Sequence, residues 1–464
     1  MNVETKNLSL ELNTGPLNKR RNLQWRISPP PLRDPKRRRT ARAQGAAAIS
    51  PTSAQVESAQ IRIDNHLAYF SQLLTNNTKT PYPPKHPRLT IPDYQSLYQQ
   101  SEGSAHGAHF VVTQHDHPVA GTHYDLRLQI NETSSCSWAI MYGLPGNPNS
   151  LGRSGISGGR AGAGILRNAT ETRVHCLWNH LIETGTRETG SLMVWDMGRY
   201  EVLEPRNNDE TRRRRRTRRG QVSSSTEGDD DEGAEQIGGS ATMEKETQQQ
   251  KLARAFKSRK IRLKLHGVRL PPVYVVNLRL TQEEDAAARA KAANPNTAKL
   301  RRRRRAGQPG SVTRKVFDTD SSSGDDKERS SYREKNVQRT TVAVDDEAQK
   351  RADQEIRQTN AYTGANNSIG SVHQRKWFLS LDREACGFIK SLDSGRVWWQ
   401  RKDDTENETL KEADEQNGRL KWPFYVRGPE HERSLVTGRL GDEILEDEGV
   451  TDFVRRKGWR PILS

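Results

Sequence analysis

Cysteine is nearly missing. Cys136, Cys176 and Cys386 are the three in 464 residues, far apart and with no C-x-x-C pair, which excludes a disulfide framework and a cysteine-based zinc site and fits a reducing compartment. Long apolar runs are missing too: nothing approaches the ~18 consecutive residues of a transmembrane helix, and the opening MNVETKNLSLELNTG has no signal-peptide core. The expectation is a soluble intracellular protein with no membrane partner. Hydrophobic residues make up only 32% of the chain, and adding the 35 glycines still leaves the apolar share below the roughly 45–50% of globular domains. One compact domain with long disordered segments is therefore expected rather than three full domains.

Charge, by contrast, is abundant. Lys and Arg number 75 against 58 Asp and Glu, a net +17, which points to a polyanionic partner, nucleic acid before membrane. Residues 1–55 form a basic tail whose clusters Lys19-Arg20-Arg21 and Lys36-Arg37-Arg38-Arg39 read as nuclear import or nucleic-acid contacts. Two tracts, 206–254 with Arg212 to Arg216 and 283–373 with Arg301 to Arg305, pair an Arg block with a Ser and acid block and read as disordered insertions. Between them lie 56–205, opening on the helical pattern IRIDNHLAYFSQLL; 255–282, with the hairpin IRLKLHGVRLPPVYVVNLRL; and 374–464, which holds five of the nine tryptophans and completes the same core. Short alternating strands predict a mainly β, antiparallel, barrel-like domain with a few helices.

Five of the twelve histidines fall in HGAHFVVTQHDHPVAGTHYDLRLQ, residues 106–129. In a strand, His123, Asp125 and Arg127 share one face while Tyr124, Leu126 and Leu128 enter the core. Phe110 to His115 reads as the partner strand, which brings His115 opposite His123. Two imidazoles and a carboxylate suit Mn²⁺, Zn²⁺ or Fe²⁺ and leave positions open for water and substrate. A second group, Arg167, Arg173, His175, His180 and Glu183, follows about 50 residues on.

These residues resemble the 3′-phosphoesterase module of bacterial DNA ligase D and its stand-alone relatives. The likeness rests on the strand ending in His115, on His123-Tyr124-Asp125-Leu126-Arg127-Leu128, on Ser137-Trp138-Ala139, on Arg167 and His175 eight apart, and on Val194-Trp195-Asp196-Met197-Gly198; the hairpin at 261–280 is similar to the family's closing hairpin. The resemblance implies a metal-dependent enzyme, Mn²⁺ favoured, that trims 3′-phosphate and 3′-ribonucleotide ends of DNA in strand-break repair, with a repair polymerase or ligase acting in trans; the clusters at 19–21 and 36–39 put the expected site of action in the nucleus. It implies His115, His123 and Asp125 as metal ligands, Arg127 and Arg167 as phosphate clamps and His175 as the catalytic histidine.

The chain also departs from the pattern. Seven residues separate His115 from His123 where the family has five, a family tyrosine four residues after the catalytic histidine is Asn179, and a turn lysine is Tyr142. Arg173 and His180 are the candidate replacements for those phosphate contacts. No K-x-D-G lysine occurs, so the reading is a stand-alone eukaryotic member of fungal type with no ligase module attached. Two alternatives stand beside it: a DNA-binding scaffold of the same fold whose site has decayed, and an Fe(II), 2-oxoglutarate-type oxygenase using His123, Asp125 and His175.

Overall fold

The computed structural model describes residues 52–57, 61–150, 166–205, 246–293, 351, 354–393, 396–401 and 418–463. The basic clusters of the N-terminal tail and both Arg blocks lie outside the described residues.

Strands form where apolar and polar residues alternate: β1 His109–His117, β2 Gly121–Gln129, β3 Ser134–Ile140, β4 Arg167–Glu171, β5 His175–Cys176, β6 Thr184–Thr186, β7 Gly190–Val202, β8 Lys260–Gly267, β9 Val275–Arg279, β10 Lys376–Leu381, β11 Phe388–Asp393 and β12 Arg396–Arg401. Eight of them close an antiparallel barrel in the order β1-β2-β3-β4-β10-β9-β8-β7, with β7 returning to β1. The mainly β, barrel-like class expected from the sequence is the class found. Strand β10 enters between β4 and β9, so the C-terminal stretch supplies a stave of the barrel itself.

Strand β2 is buried along its whole length because both its faces are covered. Inward, Phe110, Val112, Tyr124, Leu126, Leu128, Trp138, Trp195 and Trp377 fill the barrel. Outward, Val111, Val194 and Met197 pack under Phe70 and Leu74 of helix α2 (His66–Asn76) and Tyr94 and Tyr98 of α3 (Ile91–Gln99). Helix α2 starts at His66 rather than at Ile61, because the Asn65 side chain accepts from the Ala68 amide at 2.9 Å and caps it there.

Described elements run across several expected boundaries. A short helix, α1 (Ser53–Glu57), runs across the end of the tail assigned to 1–55, with Val56 buried. The tract 206–254 yields at its end to helix Gln248–Lys257, opened by a capping box at Thr247. The tract 283–373 contains most of helix Gln282–Ala293 and a segment, 354–373, bound to the barrel edge. There the Val174 amide donates to Asn360 O at 2.9 Å, the Tyr362 amide to Val174 O at 2.9 Å, and the Val372 amide to the Glu171 carboxylate at 2.9 Å. Few apolar residues mark this segment in the sequence, because beyond Ala361 and Ile369, which enter the barrel core, hydrogen bonds do most of the docking.

Two of the family-like motifs turn out to hold each other. The Asp196 carboxylate accepts from the amides of Met197, Val268 and Arg269 at 2.9 Å and of Leu270 at 3.1 Å. A Cβ on Gly267 would stand 2.0 Å from the Asp196 Oδ2. Replacing Asp196 by Ala strands those buried amides, and we expect a loss of about 3–5 kcal/mol, read as a lower urea midpoint. Gly267→Ala should fall in the same direction, and an unchanged midpoint in both would show that this contact does not hold the hairpin. The C-terminal tail straps the β1–β2 hairpin from behind: Arg455 pairs with Asp116, Arg456 donates to Val119 O at 2.7 Å, and the Trp459 indole donates to Met141 O at 2.7 Å.

Candidate metal centre and phosphate site

Antiparallel register sets His115 directly across from His123 and Thr113 across from Asp125. The three side chains project from the outer face of the barrel, and their ligand atoms lie within 4.8 Å of one another. Each imidazole is oriented by a backbone carbonyl. The His115 Nε2–H donates to Thr189 O at 2.9 Å, which leaves Nδ1 as the free lone pair, 3.9 Å from Asp125 Oδ2. The His123 Nδ1–H donates to Gly121 O at 2.8 Å, which leaves Nε2 free, 3.6 Å from Asp125 Oδ1. Fixing the tautomer from outside is what a protein does to histidines that present a lone pair to a cation.

Electrostatics agree with that use. Burial alone would raise the Asp125 carboxyl, but His123, Arg127, His115 and His175 outweigh it and hold the group below the ordinary carboxylate range. Burial, then His123, push His115 down to about 3, so its imidazole is neutral at pH 7. Among the described residues, Asp125 Oδ1, Arg127 Nε and His175 Nδ1 are buried without a hydrogen-bond partner. Three orphaned polar atoms from an acid, a base and a cation in one neighbourhood fit a site that takes a charged ligand. The two nitrogens and one carboxylate oxygen suit a divalent Mn, Fe or Zn ion with positions to spare.

Arg127 stands beside the cluster. Its guanidinium reaches Asp125 Oδ2 at 3.4 Å and Asn179 O at 3.3 Å. His175, at the start of β5, is also close enough to act on Asp125 and Arg127 electrostatically, and burial, then Arg127, hold it well below its ordinary value. It is not part of the three-residue ligand group, which the structure builds with His115 instead. Arg173 lies two residues away and places its guanidinium carbon 5.6 Å from the Tyr362 ring centroid.

Other expected residues go elsewhere. Arg167 shares the face of Ala169, which pairs with Ile140, whereas Asp125 pairs with Ala139 on the opposite face. Its guanidinium turns inward to the carbonyls of Tyr142 and Gly143, so the structure does not bring it to the cluster. His180 is fully buried, its Nδ1 2.8 Å from that of His109, and it backs the site rather than lining it. Glu183 accepts from the Val194 amide and binds Arg439 at 3.1 Å, a structural tie. Two residues were not singled out from the sequence: Tyr362, whose ring centroid is 4.8 Å from that of His175, and Glu57, whose carboxyl is raised by burial against the opposing pull of Arg127.

The buried histidines give a pH signature. Burial, then Arg199, push His109 down to about 3, and burial, then His109, push His180 well down. Burial first also lowers His86 and His373, each to about 4. In the unfolded chain such groups titrate near ~6.5, so below that pH the unfolded state binds protons that the native state refuses. Stability should be full above about pH 6.5 and fall as the pH drops toward the carboxylate range near ~4. Urea midpoints at pH 7.5 and 5 check this, and equal midpoints would reject it.

Residues 113–277, from within β1 to within β9, match the family model described as the DNA ligase D 3′-phosphoesterase domain. No curated protein matches the chain. The matched segment contains the His115, His123, Asp125, Arg127 and His175 arrangement and the Asp196 contact that holds the closing hairpin, so it is this part of the chain that is similar to the DNA ligase D 3′-phosphoesterase domain.

Proposed function

We propose that the protein is a metal-dependent 3′-phosphoesterase that clears 3′-phosphate or 3′-ribonucleotide ends of DNA in strand-break repair, with Mn²⁺ the favoured ion. The observation that carries the reading is the trio His115, His123 and Asp125, with both histidine tautomers set by backbone carbonyls so that their free nitrogens converge. A divalent ion there supplies Lewis-acid polarisation of the phosphoryl oxygens. The chain's own residues supply the rest. Arg127, anchored between Asp125 and Asn179 O, holds a phosphate oxygen through its unsatisfied Nε side. His175 is neutral in the free site, and the negative charge of a bound phosphate favours its protonated form, which can then protonate the departing 3′ oxygen.

Purified protein with a 3′-phosphate primer-template, with and without Mn²⁺, tests the proposal: release of phosphate only with the metal is expected. DNA binding without turnover in any divalent ion would instead support the scaffold reading, which draws on the inward turn of Arg167. A nuclear site of action, resting on the clusters at 19–21 and 36–39, belongs to the same proposal. So does a repair polymerase or ligase partner.

A further inference from the structure

Residues 354–373 lie beyond the family match, yet they reach the candidate site. The chain is held there from both sides: Ala361 bridges Val174 in parallel, the Asn360 side chain donates to Thr172 O at 3.3 Å, and Cys176 Sγ donates to Thr363 O at 3.6 Å. That pairing sets Tyr362 against His175, ring centroids 4.8 Å apart and planes tilted by 54°. The Tyr362 side chain remains 40% exposed, and its hydroxyl makes no hydrogen bond among the described residues. A buried structural tyrosine would have neither property.

Beside the tyrosine opens a cleft of about 440 Å³, bordered by Thr359, Tyr362, Asn366, Asn367, Ile356 and Glu355. Its volume is that of a small-ligand site. No lysine or arginine lines it, Arg173 standing over the Tyr362 ring 5.6 Å from its centroid without entering the cleft, and Glu355 at its rim repels phosphate. The cleft therefore does not track a nucleic-acid backbone. An aromatic face, neutral amides and hydroxyls suit a flat, uncharged heterocycle that stacks and hydrogen-bonds. The Asn366 side-chain amide makes no hydrogen bond among the described residues, whereas Asn367 is held by Thr359 O at 2.9 Å and Ser371 O at 3.0 Å.

We propose that this cleft is a nucleoside subsite: the base next to the terminal 3′-phosphate stacks on Tyr362, with the Asn366 amide at its edge, while the phosphate lies at His175 and the metal centre. The proposal rests on the reading of the site as a 3′-phosphoesterase and adds which part of the substrate is read, and by which residues. It also gives residues 354–373 a role in selecting nucleoside phosphates over other phosphate esters.

The test compares the full-length protein with Tyr362→Ala, Tyr362→Phe and Tyr362→Trp on two substrates, a 3′-phosphate primer end and p-nitrophenyl phosphate, which has no nucleoside. A lost stacking platform should lower the ratio of the two kcat/KM values about tenfold in Tyr362→Ala, mostly through KM for the primer end, with recovery in the Phe and Trp variants. An unchanged ratio overturns the proposal, because a tyrosine that only props His175 affects both substrates alike. Thermal melting of each variant separates misfolding from lost recognition, and the Phe variant keeps the ring packing. If the unaltered protein turns over neither substrate, the phosphoesterase reading fails by itself, and the subsite is read by fluorescence anisotropy with a 3′-phosphorylated oligonucleotide. There, about tenfold weaker binding by Tyr362→Ala supports the subsite and equal binding overturns it.

Discussion

Replacing Asp125 by Ala, or His123 by Ala, is expected to abolish both metal uptake and 3′-phosphate release. Asp125 offers the cluster its only carboxylate, and His123 Nε2 is freed for a ligand by the bond from Nδ1 to Gly121 O. A bound ion contributes several kcal/mol to a phosphoryl transition state, so losing it should lower kcat/KM by on the order of 10³-fold or more. Calorimetric titration with Mn²⁺ and a phosphate-release assay read the two effects separately. Asp125→Asn, which keeps the volume while removing the charge, separates lost ligation from lost packing beside Arg127. Full activity of either variant at limiting Mn²⁺ would sink the metal assignment.

His175→Ala should behave differently: metal and DNA bind, and turnover falls by about 10²–10⁴-fold, the usual range for a lost proton donor. His175 acts on Asp125 electrostatically but stands outside the ligand group, so its removal leaves the three donors in place. The loss should fall on kcat more than on KM. Weakened Mn²⁺ uptake in this variant, with uptake unaffected in His115→Ala, would move the ligand set to His123, Asp125 and His175 and support the oxygenase alternative.

The hairpin was legible because a strand repeats every two residues. Once Phe110 to His115 and His123 to Leu128 are taken as partners, His115 must oppose His123, and Asp125 and Arg127 follow on the same side. Arg167 was not legible by the same rule. Its face depends on the pairing of β4 with β3, and spacing from His175 carries no information about that register. His180 was read as a candidate phosphate contact because its partner, His109, is 71 residues away and only the fold joins them. Tyr362 was missed because its segment has the composition of a disordered insertion, and composition does not report backbone hydrogen bonds to Val174. Asp196 and Gly267 belong to motifs that suggest chemistry, yet they serve the packing of one turn on another.

The place of β10 between β4 and β9 has a consequence for synthesis. About a hundred residues separate β9 from β10, which at ~5–20 residues per second is roughly 5–20 s of translation. Throughout that interval β4 and β9 each present an edge of unpaired amides and carbonyls, the kind of edge that recruits foreign strands. Nascent chains of this protein therefore pass through an open-sheet stage in which they are candidates for chaperone capture, and pairings across so long a separation make refolding from denaturant slow as well.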